Sequence, residues 1–157
     1  MSAVSIQGVL VTPLRQIVDE RGAVLHMLRA DSEGYAGFGE CYFSQINVGI
    51  IKGWKRHLRQ TQQLAVPSGR VRFVVCDLRD ESPTRGTCVD VTLGRPDSYY
   101  RLTIPPQVWY GFACVGDQIS LVVNCADMPH EAGESETRPL EDFELPQALD
   151  ILRGTAA

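Results

Sequence analysis

The stretch Gly49–Gly69, G-I-I-K-G-W-K-R-H-L-R-Q-T-Q-Q-L-A-V-P-S-G, constrains the fold more than any other part of the chain. Side chains two apart on a strand point to the same side, so Lys55 and His57 share a face if this segment is extended. The polar run L-R-Q-T and the closing P-S-G supply turn chemistry, and a second strand between them returns Gln62 alongside that face. The spacing therefore predicts strand, turn, strand, with Lys55, His57 and Gln62 on the inside of a small β-barrel.

The rest of the chain repeats this texture. Apolar and β-branched runs predict strands at Ile6–Val11, Ala23–Leu28, Glu40–Val48, Gln63–Val66, Arg70–Asp77, Thr87–Leu93, Tyr99–Ile104, Gln107–Cys114 and Gln118–Asn124. Turn signals (D-E-R-G, P-S-G, R-D-E-S-P-T-R-G, G-R-P-D-S) separate them. Short strands at regular spacing without a long helix predict an all-β sandwich or jelly roll. From Asp127 to Pro146 the chain is acidic and Pro-rich, which predicts an ordered surface loop. Pro146–Arg153 is expected to form one short C-terminal helix, with Pro in its first turn and Gly154 past its end.

The 157 residues are expected to form a single domain, 1–157. A net charge of −4 without a basic run argues against nucleic acid and an anionic membrane surface as partners. No signal-peptide pattern and no membrane-length apolar run is seen, so a cytoplasmic location is expected. The five cysteines, Cys41, Cys76, Cys88, Cys114 and Cys125, form no C-x-x-C and are expected to be reduced, buried thiols.

The opening frame, Gly49-x5-Lys55-x-His57-x4-Gln62-x6-Gly69, resembles the first cupin motif, which implies a double-stranded β-helix. The motif's metal ligands are two His and a carboxylate. A lysine cation and a neutral glutamine leave only His57 as a good ligand, so no metal and no other cofactor is expected.

Four further stretches occur in fixed order around this one: D-E-R-G (Asp19–Gly22), Q-I-N (Gln45–Asn47), D-L-R-D-E-S-P-T-R-G (Asp77–Gly86) and I-P-P-Q-V-W-Y-G-F (Ile104–Phe112). Together they resemble the dTDP-4-dehydrorhamnose 3,5-epimerase family, whose members carry D-x-R-G, Q-x-N, R-G-x-H-x-Q, D-x-R-x-x-S-P-T-x-G and I-P-x-G-F-x-H-G-F. The resemblance runs from about residue 8 to residue 135. It implies a metal-free cupin jelly roll, a homodimer, and a nucleotide-linked 4-keto-6-deoxyhexose bound in the barrel. A base removes a proton next to the C4 ketone, a cation holds the enolate, and an acid returns a proton from the other face.

Transferred residue by residue, the resemblance implies a diphosphate grip of Arg21, Gln45, Asn47 and Lys52, the last replacing the family's Arg. The reacting positions differ. The family's base His falls on Lys55, the His of F-x-H-G-F on Tyr110, the Tyr acid on Asn124, and the Lys at the C4 oxygen near Gln62. Val24 and His26 replace residues that hold the nucleobase, and Asp142 is a weak counterpart of the Asp that orients the base. Lys55 or His57 could serve as base, or both could be plain contacts. An isomerase, acting at one carbon or two, and a non-catalytic sugar-nucleotide-binding protein both stay open. The dimer is expected to exchange strands near Ile6–Val11, and residues after D-x-R-G to reach the other subunit's site.

Overall fold

A computed structural model describes residues 6–155. Twelve strands and one helix are described: β1 (Leu10–Pro13), β2 (Gln16–Asp19), β3 (Gly22–Leu25), β4 (Glu40–Ile46), β5 (Ile51–His57), β6 (Gln62–Ser68), β7 (Arg70–Cys76), β8 (Cys88–Gly94), β9 (Tyr100–Ile104), β10 (Trp109–Cys114), β11 (Ser120–Ala126), β12 (Ser135–Thr137) and α1 (Pro146–Arg153). Two five-stranded sheets, ordered β1-β9-β6-β11-β4 and β12-β5-β10-β7-β8, face one another, and β2 and β3 form a separate hairpin. The architecture is the all-β jelly roll with a short C-terminal helix that the turn spacing predicts.

Alternation along each strand builds the interior. Leu64, Val66, Phe73, Val75, Leu93, Leu102, Tyr110 and Val122 point between the sheets and form one core. The opposite face of the second sheet carries Trp54, Val74 and Trp109, which Phe143 and the α1 residues Ala148, Leu149 and Leu152 cover. Phe143 stacks on Trp54 with ring centroids 4.4 Å apart. Pro in the first turn and left-handed Gly154 at the end bound the helix as expected.

One irregularity on β5 shapes the interior. Tyr110 pairs with Lys55 but Phe112 pairs with Lys52, so two steps on β10 match three on β5. This β-bulge turns Lys52 and Lys55 to the same side although they are three residues apart. Gly53 lies within it, where a Cβ would come 2.6 Å from Leu140 Cδ2 and displace that side chain.

The motif D-L-R-D-E-S-P-T-R-G proves to be a loop clamp on the barrel's exterior. Asp77, fully buried, accepts hydrogen bonds from Arg79 Nε (2.9 Å), Ser82 Oγ (2.5 Å) and Thr84 Oγ1 (2.6 Å). Arg79 in turn donates to Gln7 O at 2.7 Å, tying the N-terminal segment down.

Several expectations are corrected. The first strand begins at Leu10, because Ile6–Val9 is a turn closed by Val9 N donating to Ile6 O. β1 pairs in register with β9 of its own chain, Leu10 opposite Thr103, at the edge of its sheet. The strand expected at Ala23–Leu28 ends at Leu25, after which the chain crosses the sheet and offers Met27 O and Glu33 O to the buried Arg101 guanidinium. β12 lies in the segment expected to be loop, paired with β5. Cys76 and Cys88, opposite one another on β7 and β8, form a disulfide with Cα atoms 4.3 Å apart, while Cys41 is exposed and Cys125 half-buried, so only Cys114 is the buried free thiol expected. No helix among the described residues is long and apolar enough to cross a membrane.

Burial alone would raise the Asp77 pKa, but hydrogen bonds from Arg79, Ser82 and Thr84 outweigh it and hold the carboxyl well below the usual range. The stabilisation is therefore present above the ordinary carboxylate pKa and is lost as pH falls through the folded value. Replacing Asp77 by Ala strands these donors. It should cost about 3 kcal/mol or more, read as a lower denaturation midpoint at pH 7 and a smaller deficit against wild type in acid.

Candidate active site

Between the two sheets lies a cavity of about 260 Å³. The first sheet lines it with Tyr42, Ser44, Leu64, Val122 and Asn124, the second with Lys52, Gly53, Lys55, Tyr110 and Phe112. Two cations therefore stand on one wall, placed there by the bulge. Lys52 Nζ sits 6.0 Å from the Phe112 ring centroid, a cation–π separation.

Behind that wall His57 is buried and both its ring nitrogens are engaged. Nδ1 lies 2.8 Å from Glu134 Oε2, and Nε2 lies 3.3 Å from the Tyr110 hydroxyl. Glu134 is buried as well, and accepts from the backbone N–H groups of Arg59 (3.1 Å) and Gln60 (2.9 Å). Burial would raise the Glu134 pKa, but the hydrogen bonds from His57, Gln60 and Arg59 lower it overall. An ionised Glu134 can only accept, so Nδ1 carries the proton and Nε2 presents its lone pair to Tyr110. Burial depresses the His57 pKa against the raising effect of Glu134, and Lys55 and His130 push the same way as burial. Burial raises the Tyr110 phenol, and the Tyr42 and Glu134 charges add to it. The product is a carboxylate–imidazole–phenol chain ending at the cavity surface.

On the facing wall a second chain has its polarity fixed from both ends. Met128 O accepts from Gln60 Nε2 at 2.6 Å, and Gln60 Oε1 accepts from Gln62 Nε2 at 2.6 Å. Gln62 Oε1 therefore accepts from Asn124 Nδ2. Asn124 Oδ1 accepts from the Gln63 backbone N–H at 3.1 Å, and Nδ2 also donates to the Tyr42 hydroxyl at 3.0 Å.

The nine residues singled out in the sequence divide by position. Lys52, Lys55, Tyr110 and Asn124 line the cavity. His57 and Gln62, buried, stand behind Tyr110 and Asn124. Arg21, Gln45 and Asn47 are outside it. Gln45 alternates with cavity-lining Ser44 and core Ile46 and so points from the other side of β4, exposed; Asn47 follows the strand. Arg21 sits at the exposed tip of the β2–β3 hairpin, paired with Asp19 at 2.5 Å. A single chain thus separates the expected diphosphate grip: only Lys52 faces the cavity.

Two residues escaped the sequence. Glu134 is one acid among many in Asp127–Pro146; its signal is the short S-E-T strand just after it, whose Ser135 pairs with His57. Tyr42 carried no motif, but alternation with Ser44 and Ile46 on β4 marks its face. Of the four cupin ligand positions only His57 is a good donor, and among the described residues no three His, Cys, Asp or Glu side chains cluster as a metal site would need.

The family model described as dTDP-4-dehydrorhamnose 3,5-epimerase matches residues 3–146. The chain belongs to this family. It is 50% identical to a dTDP sugar isomerase from Desulfovibrio desulfuricans G20, whose crystal structure matches with a TM-score of 0.89 over 96% of this chain and 97% of that one. A probable low-salt glycan biosynthesis epimerase, Agl13, from Haloferax volcanii is 32% identical over 76% of this chain and 78% of its own. The Legionella pneumophila epimerase crystallised with dTDP-4-keto-L-rhamnose is 20% identical, with a TM-score of 0.78 over 93% of this chain and 78% of that one, and shows the shared fold. The protein is a sugar-nucleotide epimerase-like member of the family.

The His57 environment has a measurable consequence. Its imidazole should titrate below the ordinary histidine value by NMR, and Glu134→Gln should lower it further by removing the anion that raises it. A histidine with a depressed folded pKa binds fewer protons than the unfolded chain, so burial of the His57 ring makes folding less favourable as pH falls below about 6.5, with Glu134 opposing that loss. An unchanged His57 titration in Glu134→Gln would contradict the assigned hydrogen bond.

Proposed function

We propose that this chain epimerises a nucleotide-linked 4-keto-6-deoxyhexose at a carbon next to the C4 ketone. The observation that carries the proposal is the Glu134–His57–Tyr110 chain opening beside Lys55 on one wall of the cavity. The carbon proton passes to Tyr110 Oη as the Tyr110 proton moves to His57 Nε2. The imidazolium so formed lies against the Glu134 carboxylate, the logic of a nucleophile–base–orienter triad turned to proton abstraction. Lys55 supplies the cation for the enolate oxygen, and Lys52, nearer the start of β5, meets the diphosphate. The family's ligands, including the dTDP-4-keto-L-rhamnose of the Legionella complex, support a nucleotide sugar as the occupant. A cytoplasmic location suits such a substrate.

Deuterium incorporation from D2O into dTDP-, UDP- and GDP-linked 4-keto-6-deoxyhexoses tests the assignment. Wild type should exchange at C3, at C5 or at both. Tyr110→Phe should reduce exchange by about a hundredfold or more with nucleotide-sugar affinity within about threefold. If Lys55→Met abolishes exchange while Tyr110→Phe leaves most of it, Lys55 is the base instead. Binding without any exchange in wild type would establish the non-catalytic alternative, which the replaced family His and Tyr positions favour.

We further propose a homodimer. β4 is a sheet edge, and Phe38 and Phe43 nearby are 67% and 64% exposed. The β2–β3 hairpin adds Val18 and Val24, 65% and 60% exposed. Unpaired edges and apolar patches of this kind are normally covered. A second copy on this face would also give Arg21, Gln45 and Asn47 a cavity to approach. Sedimentation should show a dimer at micromolar concentration and a shift to monomer in Phe43→Glu; a monomeric wild type would rule the dimer out.

A further inference from the structure

Inverting a carbon requires a proton to leave one face of the sugar and return to the other, so acid and base must stand on opposite walls. The base assembly proposed above occupies the β5–β10 wall. The position of the family's Tyr acid, on β11, is Asn124 here, and an amide cannot deliver a proton. Directly across the strand register from Asn124 is Tyr42 on β4. Its hydroxyl accepts from Asn124 Nδ2 at 3.0 Å and its ring lines the cavity.

We propose that Tyr42 is the acid, its phenol standing on β4 in place of one on β11; this rests on the epimerase activity proposed above. The hydrogen-bond polarity compels the orientation. Met128 O and the Gln63 N–H have one role each, acceptor and donor, and they fix Gln60, Gln62 and Asn124 in sequence. Asn124 therefore donates to Tyr42, the Tyr42 oxygen accepts, and its own proton is free to point into the cavity. Burial raises the Tyr42 pKa despite the Asn124 hydrogen bond, which keeps the proton on the phenol at neutral pH. The step balances: the enolate electron pair takes the Tyr42 proton to form the C–H bond, the C4 ketone is restored, and the tyrosinate is reprotonated by water. The side chain is 38% exposed, so solvent reaches it. Asn124 is a positioning residue, holding the phenol without donating to substrate.

The experiment separates removal of the proton from its return. Purified full-length protein is incubated with dTDP-4-keto-6-deoxyglucose in D2O, and both recovered substrate and inverted product are analysed. Tyr42→Phe should still place deuterium in uninverted substrate, within about tenfold of wild type, while inverted product falls by about a hundredfold or more. Asn124→Asp provides a second route if Tyr42→Phe folds poorly. The new carboxylate would accept the phenol's proton instead of donating to its oxygen, so inversion should fall again with exchange retained. Inversion at the wild-type rate in Tyr42→Phe, or equal losses of exchange and inversion in both variants, would overturn the role of Tyr42. Absence of exchange in wild type would overturn the epimerase activity itself, and the role of Tyr42 with it.

Discussion

The buried pair His57–Glu134 is the interaction on which the site depends. Removing a carboxylate from water is expensive unless its lone pairs are met, and here the imidazole and two backbone amides meet them. Those partners belong to the end of β5 and the turn that follows it. The segment before β12 is thereby pinned across the β5–β6 turn, and Leu58 N donating to Glu134 O at 2.8 Å and Thr61 N donating to Asp127 Oδ1 at 2.8 Å complete the attachment. Breaking the pair would loosen this end of the barrel as well as free the His57 ring behind Tyr110.

Both hydrogen-bond chains that reach the cavity begin in this same segment. Glu134 starts the one through His57 to Tyr110, and the Met128 carbonyl starts the one through Gln60, Gln62 and Asn124 to Tyr42. The first chain ends on a phenol whose proton has an acceptor behind it. The second ends on a phenol whose oxygen has a donor behind it. Opposite polarity on facing walls is what a proton moved through the plane of a sugar requires.

The all-β class, most strand centres and the C-terminal helix were legible because alternation and turn chemistry act locally. The hairpin strand β2 was not: Q-I-V-D is only four residues and largely exposed, so it shows no buried face. Lys55 was legible as a cavity residue from motif spacing, and Tyr110 and Asn124 from the family resemblance. Lys52 was placed there by family resemblance, and its physical reason is the bulge, which no strict alternation can reveal. Glu134 and Tyr42 were missed because each acts through a partner distant in sequence. His57 is 77 residues from Glu134, and Asn124 is 82 from Tyr42. The Cys76–Cys88 bridge was hidden similarly, by a register that spacing does not show.

Substitution at the family's reacting positions does not by itself remove the reaction those positions perform. A flat enolate needs a base on one side, an acid on the other and a cation at its oxygen. Which strand supplies each is immaterial, provided the two proton carriers stay on opposite sheets. Here the β5 position of the family base holds a cation, Lys55, and the position of the family cation near Gln62 holds a neutral amide. Against the family pattern, the resemblance implies one cation gained on β5 and one absent near Gln62. A unit charge pair about 6 Å apart at an effective dielectric near 20 is worth roughly 3 kcal/mol, enough that a cation on either wall could hold the same oxygen. Proton transfer is less forgiving, because it demands contact. An acid that takes the place of a phenol on β11 must therefore stand within hydrogen-bond reach of that position, and Tyr42, the register partner of Asn124 on β4, meets that condition.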